Sequence, residues 1–460
     1  MNYTYLADVF RNIEELKGKD LTLKGWIRNH RKQKEFGFIY FSDGTCFKQL
    51  QLIYDNKLEQ FEEIQKYRVG SSIEVLGELI ESEGKGQSYE LKVKEIKLLG
   101  DCPEDYPIQP KPHSMEFLRE QSYLRFRTNT FQAVFRIRSV ASMAIHKYFQ
   151  DRDYIYAHAP IFTASDCEGA GEMFQVTTQN LEEIAKKGKV DYSKEYFEKK
   201  VGLTVSAQFE GEAFAQAFSK IYTFGPTFRA DPSHTPLHTA EFWQIEPEVA
   251  FCDLEGIMDI SEELMKSVIG YTLEHASDEI DFLDKFVENG LRDKLTKVMN
   301  SDFKRVTYKE CIDLLKEANC EFQFKPEYGE DLAKEHERYI TEHFNCPVFI
   351  TYWPQKVKKC FYMKQMEDGT VANADLELPG IGETYGMSQR EDDLEKLENR
   401  IAELGMNAEE YVWYLNLRKY GSTVHSGFGI GFERLIMYMT GMSNIRDVIA
   451  FPRTPGNCKY

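Results

Sequence analysis

A polar loop between two strand-like segments concentrates side chains that could bind a phosphorylated nucleotide. In FGPTFRADPSHTPLHTAEFWQIEPEVAF, residues 224–251, Arg229 leads into the loop and His238 leads out of it, with Phe242 four residues later. The planar donor fork of arginine suits phosphate oxygens, and a phenyl ring can stack on a base. A hairpin presenting these groups with Asp231 could clamp a triphosphate, although an ordinary charged hairpin has the same composition.

A second candidate is the row of alternating glycines in GFGIGFERLIMYMTGM, residues 427–442. Gly427, Gly429 and Gly431 recur with the period of a strand, so they lie on one side of it. Glycine weakens a strand interior, so such a row indicates that a flat ligand or another backbone comes close. Arg434 then begins an amphipathic, helix-like run, and its guanidinium could stack on a planar ring.

The common nucleotide and metal signatures are missing from the sequence. No G-x-x-x-x-G-K-[ST] loop occurs, and no G-x-G-x-x-G opens a helix after a strand. The nine cysteines include no C-x-x-C pair, which argues against a zinc ribbon and a disulfide framework and fits a reducing compartment. Any nucleotide must therefore bind to a site of another kind than these two glycine-rich motifs.

The composition is that of a globular chain of two or three domains. The chain has 460 residues, 42% of them hydrophobic, and no apolar stretch of membrane-spanning length. The first twenty residues lack a signal-peptide pattern, so we expect a cytoplasmic protein with no membrane partner. The net charge of −18 argues against sequence-blind nucleic-acid binding, but a local basic face is compatible with it.

Residues 1–102 have the element order of an OB-fold barrel. Alternating segments predict three strands in 21–55, with the turn SDGT, then a helix at 57–67 and two further strands. The basic stretch KGWIRNHRKQK at 24–34, with nearby aromatic residues, could bind single-stranded nucleic acid, although core aromatics give the same pattern. Four prolines then predict a linker over 103–124.

Residues 125–460 are expected to form an α+β catalytic domain with a mainly antiparallel sheet flanked by helices. Residues 276–345 are interpreted as a helical insertion. The predicted strands lie around 155–163, 203–206, 221–229, 241–250, 347–351, 360–366, 371–378 and 424–432. The predicted helices are one beginning at Arg125, then 256–275, 281–300 and 308–318.

Taken together, Arg229, the pattern His238-x-x-x-Phe242 and G-x-G-x-G-x-E-R at 427–434 resemble the second and third motifs of class II aminoacyl-tRNA synthetases. Arg125–Pro160 resembles the first motif, which implies a homodimer. An OB-fold ahead of the catalytic domain is typical of the aspartyl, asparaginyl and lysyl subgroup. The stretches that resemble the asparaginyl-tRNA synthetase family span essentially the whole chain: TASDCEGAGEMF, LTVSAQ, SDFKRVTY, EHERYITE, PGIGETYGMSQRE and NIRDVIAFPRTPGN.

The resemblance implies roles for residues that would bind ATP, the substrate that supplies the adenylate. It implies that Arg229 binds the α-phosphate and that Arg434 and Phe242 enclose the adenine above the glycine row. The ATP-binding set is Arg229, Asp231, His238, Phe242, Glu383, Gly431 and Arg434, with Arg229 and Arg434 catalytic. Asp375 and Glu383 match the acidic pair that holds Mg²⁺. Two positions depart from the family, which more often has Glu at Asp231 and a basic residue at Leu237.

The resemblance also implies an amino-acid pocket. The implied residues are Glu168, Ser206 and Gln208 at the α-ammonium, with Arg390 and Glu246 at the substrate side chain. Arg390 alone would prefer a carboxylate. A nearby Glu246 would offset that charge, accept from an amide NH₂ and repel a carboxylate, which selects L-asparagine over aspartate.

In the barrel, Arg28, Phe38 and Gln51 match positions that read the central uridine of the anticodon, so the tRNA for asparagine is the expected partner.

The implied activity is ATP-dependent ligation of L-asparagine to its tRNA through an asparaginyl-adenylate, with release of pyrophosphate and AMP. The nearest alternative is an aspartyl-tRNA synthetase, including one that accepts both tRNAs. A small-molecule ligase derived from the same catalytic domain and a non-enzymatic OB-fold binding protein are the others. The motifs SQRE and FPRTPGN favour asparagine over aspartate.

Overall fold

The computed structural model describes residues 2–84, 86–165, 167, 173–233 and 235–460. The chain divides into two compact units, Met1–Ala133 and Val134–Tyr460. Among the described residues, no helix is both long and apolar enough to cross a membrane.

The first unit is built around a closed barrel with the strand order β1-β2-β3-β5-β4. Its elements are α1 (Leu6–Arg11), α2 (Ile13–Leu16), β1 (Asp20–Lys32), β2 (Phe36–Ser42), β3 (Leu50–Asp55), α3 (Phe61–Ile64), β4 (Ser72–Glu81), β5 (Tyr89–Gly100), α4 (Met115–Glu120) and a 3₁₀ turn at Arg125–Arg127. Strict alternation along β2 buries Ile39 and Phe41 in the barrel core. The predicted OB-fold is confirmed, with its helix after the third strand.

The second unit begins inside α5 (Asn129–Gln150). Its further elements are β6 (Ile155–Tyr156), β7 (Phe162–Thr163), β8 (Gln175–Val176), α6 (Leu181–Lys187), β9 (Val201–Leu203), α7 (Gln208–Phe218), β10 (Lys220–Phe228), β11 (Glu241–Ala250), α8 (Leu254–His275), α9 (Ser277–Phe286), α10 (Leu291–Asn300), β12 (Lys304–Thr307), α11 (Tyr308–Glu317), α12 (Lys334–Phe344), β13 (Val348–Thr351), β14 (Asn373–Leu378), β15 (Gly382–Gln389), α13 (Leu394–Glu403), α14 (Val412–Lys419), β16 (His425–Gly431) and α15 (Phe432–Thr440). Short 3₁₀ turns lie at Tyr192–Lys194, Ala408–Tyr411 and Ile445–Asp447.

An eight-stranded sheet with the order β12-β13-β14-β15-β16-β11-β10-β6 forms the centre of this unit. Its two outermost pairs, β12 with β13 and β10 with β6, are parallel, and the pairs between them are antiparallel. The predicted α+β class with a mainly antiparallel sheet is therefore confirmed. A separate small sheet has the order β7-β9-β8.

Several predicted elements differ from the structure, among them the strand predicted around 155–163, which is two short strands, β6 and β7, in different sheets. The strand predicted at 360–366 is wrong, because this segment forms only isolated bridges, at Met363 and Gln365. The single helix predicted over 281–300 is two helices: α9 ends at Phe286, and Gly290, with a positive φ of 87°, immediately precedes α10. Residues 276–345 are mostly helical but also supply β12, an edge strand of the main sheet.

Candidate active site

The hairpin β10–β11 and the strands β14, β15 and β16 enclose a cavity of about 560 Å³. Along β11 the lining residues are Phe242, Gln244, Glu246 and Glu248, which is the period of two expected when one face of a strand meets a ligand space. The cavity therefore brings the predicted hairpin and the glycine row into one site.

A buried ion pair occupies one end of the cavity, which we call the amino-acid end. Arg390 follows β15 and donates from Nε to Glu248 at 3.2 Å, while its Nη2 pairs with the other oxygen of the same carboxylate. Its Nη1 donates to Ser388 Oγ at 2.7 Å. Arg390 is 4% exposed and Glu248 is fully buried, so removing one partner would leave the other charge uncompensated in the interior.

Two glycines make the space for Glu248. Gly427 lies opposite Glu248 in the ladder between β11 and β16, and a Cβ at Gly427 would collide with the carboxylate. A Cβ at Gly211 of α7 would lie 3.2 Å from Glu248 Cγ. The expectation that the whole glycine row lies beneath adenine is therefore wrong for Gly427, where the approaching group belongs to the protein.

A second buried carboxylate, Glu212, supports this end of the cavity. It accepts hydrogen bonds from the Tyr414 hydroxyl at 2.8 Å, Arg418 Nη2 at 2.6 Å and the Gln208 amide at 2.9 Å. The His425 ring nitrogen lies 2.9 Å from the same carboxylate. Gln208, predicted to bind the α-ammonium, is thus positioned by a buried network rather than by solvent.

The pKa values of the two carboxyl groups, Glu248 and Glu212, are shifted in opposite directions. Burial raises the pKa of Glu248 to about 7, although Arg390 opposes the shift; the charge of Glu212 adds to it. Burial acts to raise the pKa of Glu212 as well, but the charges of Arg418, His425 and Arg390 hold that pKa below its usual range. Glu212 is therefore a permanent anion at neutral pH, while the charge of Glu248 depends on pH near neutrality.

Glu246 lies two residues before Glu248 and has different partners. It accepts hydrogen bonds from the Ser206 hydroxyl and from the Ala207 N–H, the latter at 2.9 Å. The salt bridges that the structure shows for Arg390 are with Glu248 and Glu212, so the role predicted for Glu246 at the substrate side chain stays a prediction. Glu246 instead binds the segment that carries Ser206. Glu168, the other predicted ammonium ligand, lies outside the described residues.

The other end of the cavity, which we call the phosphate end, carries the predicted ATP residues of the hairpin. Arg229 follows β10 directly, and its guanidinium carbon lies 5.5 Å from the centroid of the Phe242 ring. Asp231 and His238 also line the cavity, and His238 Nδ1 contacts the Thr235 hydroxyl. Burial lowers the pKa of His238, and the charges of Arg434, Lys334 and Arg229 act in the same direction.

The floor of this end is open above two glycines. A Cβ at Gly429 would come no closer than 3.7 Å to a neighbouring heavy atom, and one at Gly431 no closer than 3.9 Å. Arg434 lies beside them and donates from Nη1 to the main-chain carbonyl of Glu383 at 3.4 Å. Both glycines line the cavity, so a side chain at either position would extend into the space proposed for a planar base.

Glu433 fixes the start of α15 against its neighbours. One carboxylate oxygen accepts from the Trp243 N–H at 2.9 Å, and the other pairs with Arg138 of α5 at 2.8 Å. Because Glu433 is 1% exposed, this clamp holds Arg434 at a fixed position beside β11.

Acidic side chains of β14 and β15 lie beside the phosphate end. Asp375 is 4% exposed and pairs with Lys358 at 2.6 Å. Burial raises the pKa of Asp375 to about 6 against the opposing effect of Lys358, and the charge of Glu383 contributes to the rise. Glu377, two residues on, is also buried and has one carboxylate oxygen without a hydrogen-bond partner among the described residues.

The donor set fits a magnesium ion whose remaining ligands come from the substrate. Among the described residues, no group of three His, Cys, Asp or Glu side chains could hold a metal by itself. Asp375 and Glu383 both line the cavity and offer hard oxygen ligands, and Mg²⁺ commonly combines one or two carboxylates with phosphate oxygens and water. Lys358 would have to yield or share Asp375 with such an ion.

In the first unit, the structure places the predicted anticodon residues on three neighbouring strands. Arg28 occupies a bulge of β1, between the pairs Ile27–Phe41 and Asn29–Tyr40. Phe38 of β2 is half-buried outside the barrel core and contacts Phe36 edge to face, with ring centroids 5.4 Å apart. Gln51 of β3 donates to Glu90 at 2.8 Å. Phe38 thus offers an aromatic surface on the outside of the barrel.

Sequence reasoning missed Glu248, Glu212, Arg418 and Lys358. Glu248 carried a usable signal, because it shares the face of β11 with Glu246 at a spacing of two residues. Lys358 stands in the basic run KVKK at 356–359, which could have been weighed against Asp375. Glu212 and Arg418 carried none, since an acid and a base 206 residues apart reveal no pairing without the fold.

Comparison with known proteins agrees with this geometry over both units. A family model described as "tRNA synthetases class II (D, K and N)" matches residues 114–455. A second, described as "OB-fold nucleic acid binding domain", matches residues 21–99. A relative from Clostridium kluyveri named asparagine–tRNA ligase is 51% identical over 464 residues, covering all of both chains.

Solved structures give the same result. An asparaginyl-tRNA synthetase from Pyrococcus horikoshii, complexed with asparaginyl-adenylate, has a TM-score of 0.87 and 32% identity and covers all of both chains. An asparaginyl-tRNA synthetase from Entamoeba histolytica, also in complex with asparaginyl-adenylate, has a TM-score of 0.83 and 28% identity over 97% of each chain.

Proposed function

The chain belongs to the class II tRNA synthetases of the D, K and N group, and on this premise we propose that it ligates L-asparagine to its tRNA. The observation that carries the choice of amino acid is the buried pair of Arg390 and Glu248 at the amino-acid end of the cavity. ATP is the second substrate, and the reaction proceeds through asparaginyl-adenylate.

Adenylate formation is the first step. The carboxylate of asparagine attacks the α-phosphorus of ATP, and pyrophosphate leaves. Arg229 neutralises charge that develops on the α-phosphate, and Arg434 with Phe242 encloses the adenine above Gly429 and Gly431. Positioning and charge stabilisation supply the rate in such in-line reactions, so no side chain has to act as a nucleophile.

Magnesium fits the acidic side of the phosphate end. Asp375 and Glu383 would hold the ion, which when bound supplies positive charge to the phosphate oxygens. Before the ion and ATP bind, Lys358 neutralises Asp375 and keeps the buried carboxylate in place.

Selection of asparagine follows from the charge balance at the amino-acid end. With both glutamates ionised, Glu248 pairs with Arg390 and Glu212 pairs with Arg418, so each buried guanidinium has a carboxylate partner. The substrate amide can accept from Arg390 through its oxygen and donate to Glu248 through its NH₂. An aspartate carboxylate would instead face Glu248 and introduce an unpaired charge, which disfavours the aspartate-specific alternative.

The second step transfers the amino acid to tRNA. The terminal ribose 3′-hydroxyl attacks the adenylate carbonyl, and AMP leaves. Arg28, Phe38 and Gln51 bind the central anticodon base by stacking and hydrogen bonding. The protein works in the cytoplasm. It acts as a homodimer, since the segment Arg125–Pro160 resembles the first motif of the class, which lies at a two-fold interface.

The deciding experiment is pyrophosphate exchange with asparagine and aspartate measured side by side. We expect exchange that depends on asparagine, with aspartate at least about a hundredfold poorer in kcat/KM. Equal rates with the two amino acids would contradict asparagine specificity, and preference for aspartate would establish the alternative.

A further inference from the structure

A second cavity, of about 530 Å³, lies next to the phosphate end. The loop Pro379–Gly382, helix α12 and the last turns of α15 form its walls, and Leu237 lines both cavities. Its volume is within the usual range for small-molecule sites, about 300–1,000 Å³. None of the residues assigned above to ATP, amino acid or metal lines it.

Three cationic side chains line this cavity, and two of them form no salt bridge with a described residue. Lys294 is neutralised by Glu288, whose oxygens lie 2.7 and 2.9 Å from Nζ. Lys334 and Arg338 stand four residues apart on α12 and therefore on one face of the helix. Neither forms a salt bridge with a residue that the structure describes. Two cations without a salt bridge to a described residue thus line the cavity, which Glu337 also lines.

A buried hydroxyl provides a second, independent indication of a polar ligand. Tyr438 is 3% exposed and lines the cavity, yet its hydroxyl oxygen has no hydrogen-bond partner among the described residues. Buried polar groups are ordinarily paired, so an unpaired hydroxyl at a cavity wall is suited to donate to a bound anion.

The second cavity is coupled to the phosphate end through α12. Together with burial, the charge of Lys334 lowers the pKa of His238, which places the lysine within electrostatic reach of a histidine of the predicted ATP-binding set. Glu337, on the next turn of α12, accepts from the Glu383 N–H at 3.3 Å. Helix α12 is therefore hydrogen-bonded to the start of β15, which carries a proposed magnesium ligand.

We propose that this cavity binds the pyrophosphate group of ATP as it separates from the α-phosphate, with Lys334, Arg338 and Tyr438 as donors. The proposal rests on the proposed function, in which an asparagine carboxylate oxygen bonds to the α-phosphorus. The bond from that phosphorus to the α–β bridging oxygen breaks, and its electron pair leaves with pyrophosphate. The chemistry recognised is a pyrophosphate group, either still part of ATP or free as the product.

The variants Lys334→Gln, Arg338→Gln and Tyr438→Phe test this directly, with Lys316→Gln of α11 as an exposed lysine that lines neither cavity. Measured in asparagine-dependent exchange, the KM for pyrophosphate should rise about three- to tenfold in each lysine or arginine variant. A smaller rise is expected for Tyr438→Phe. The KM for asparagine and the behaviour of Lys316→Gln should match the wild type.

The KM for ATP identifies the source of the group. A parallel rise for ATP and pyrophosphate means that the cavity already holds the outer phosphates of bound ATP; a rise for pyrophosphate alone means that it receives the free product. A wild-type KM for both ligands in the double variant Lys334→Gln/Arg338→Gln would overturn the proposal.

Calorimetric titration with magnesium pyrophosphate separates this inference from the proposed function. If the wild type showed no asparagine-dependent exchange, the proposed function would fail. Weaker pyrophosphate binding by the double variant would then still support the second cavity as an anion site, and equal binding by the two proteins would refute it.

Discussion

The amino-acid end and the phosphate end of the catalytic cavity use charge in opposite ways. At the amino-acid end, Arg390 and Arg418 are paired with Glu248 and Glu212 inside the protein, and all four are almost completely buried. At the phosphate end, Arg434 is half-exposed, and its side chain donates to a main-chain carbonyl but forms no salt bridge with a described residue.

The difference matches the charge of what each end would receive. A closed, balanced set of charges can accept a neutral amide by exchanging hydrogen bonds, but it has no place for an additional charge. An end where Arg434 forms no salt bridge with the described residues suits a polyphosphate, which brings its own negative charge. Substitutions at the phosphate end should therefore lower the rate with both amino acids, and substitutions at the amino-acid end should change the asparagine-over-aspartate ratio.

The largest effect is expected from Arg229→Ala at the phosphate end. Its guanidinium lies over Phe242 at the cavity wall, so its loss should remove transition-state charge stabilisation without opening the core. We expect pyrophosphate exchange to fall about a thousandfold, with asparagine and aspartate affected alike. The exposed Lys309→Ala, which breaks only a surface pair with Asp313, serves as the control. Exchange within threefold of wild type would remove Arg229 from the ATP site.

The next effect belongs to the amino-acid end and compares two glutamates on one strand. Glu248→Gln removes the charge that opposes Arg390, so a substrate carboxylate can pair with Arg390 and the asparagine-over-aspartate ratio should fall about a hundredfold. Glu246→Gln makes the same chemical change two residues away. It should weaken use of both amino acids through Ser206 and leave the ratio unchanged.

Adenylate formation with each amino acid measures both variants. The opposite result, a collapsed ratio in Glu246→Gln and a normal one in Glu248→Gln, would show that substrate binding reorganises the pairs and would restore Glu246 as the discriminating residue.

This pair also shows how far the sequence alone can lead. Family motifs locate Arg229, Phe242, Arg390 and Arg434, and the structure brings all four to one cavity. They do not decide which of two glutamates on one face of β11 meets Arg390, which stands 142 residues beyond Glu248. That choice depends on the ladder register between β11 and β16 and on the space left by Gly211 and Gly427.

The fold shows the same limit. Alternation predicted the barrel and the β10–β11 hairpin, because each strand has one buried face and its partner is close in sequence. The segment 360–366, CFYMKQM, begins with four apolar residues, but in the structure it forms only isolated bridges. Periodicity could not divide α9 from α10, since both helices are amphipathic and only the backbone at Gly290 separates them.

A smaller effect is expected from a region outside both ends. Phe38→Ala on the barrel removes a stacking surface worth about 1–3 kcal/mol per base, so kcat/KM for aminoacylation should fall about tenfold or more. Pyrophosphate exchange should stay at the wild-type rate, because it needs neither tRNA nor the barrel. Tyr5→Ala, an exposed aromatic of the same unit, is the control. Loss of both activities together would make Phe38 a structural residue.

The smallest effect is that of pH on the asparagine-over-aspartate ratio, which reports the amino-acid end because titration of Asp375 at the phosphate end affects both amino acids alike. Burial raises the pKa of Glu248 to about 7, so its carboxylate takes up a proton as pH falls through this value. Aspartate as a substrate stays ionised there, since its side-chain pKa is about 3.9. Arg390 then faces a neutral Glu248, and aspartate becomes a better competitor at low pH. The asparagine-over-aspartate ratio should therefore be constant above about pH 8 and lower by about tenfold near pH 6.

In Glu248→Gln the ratio should be low and independent of pH, because no proton is left to bind at this position. Adenylate formation measured with both amino acids across this range gives the profile, and a flat wild-type ratio would mean that Arg390 keeps Glu248 ionised throughout.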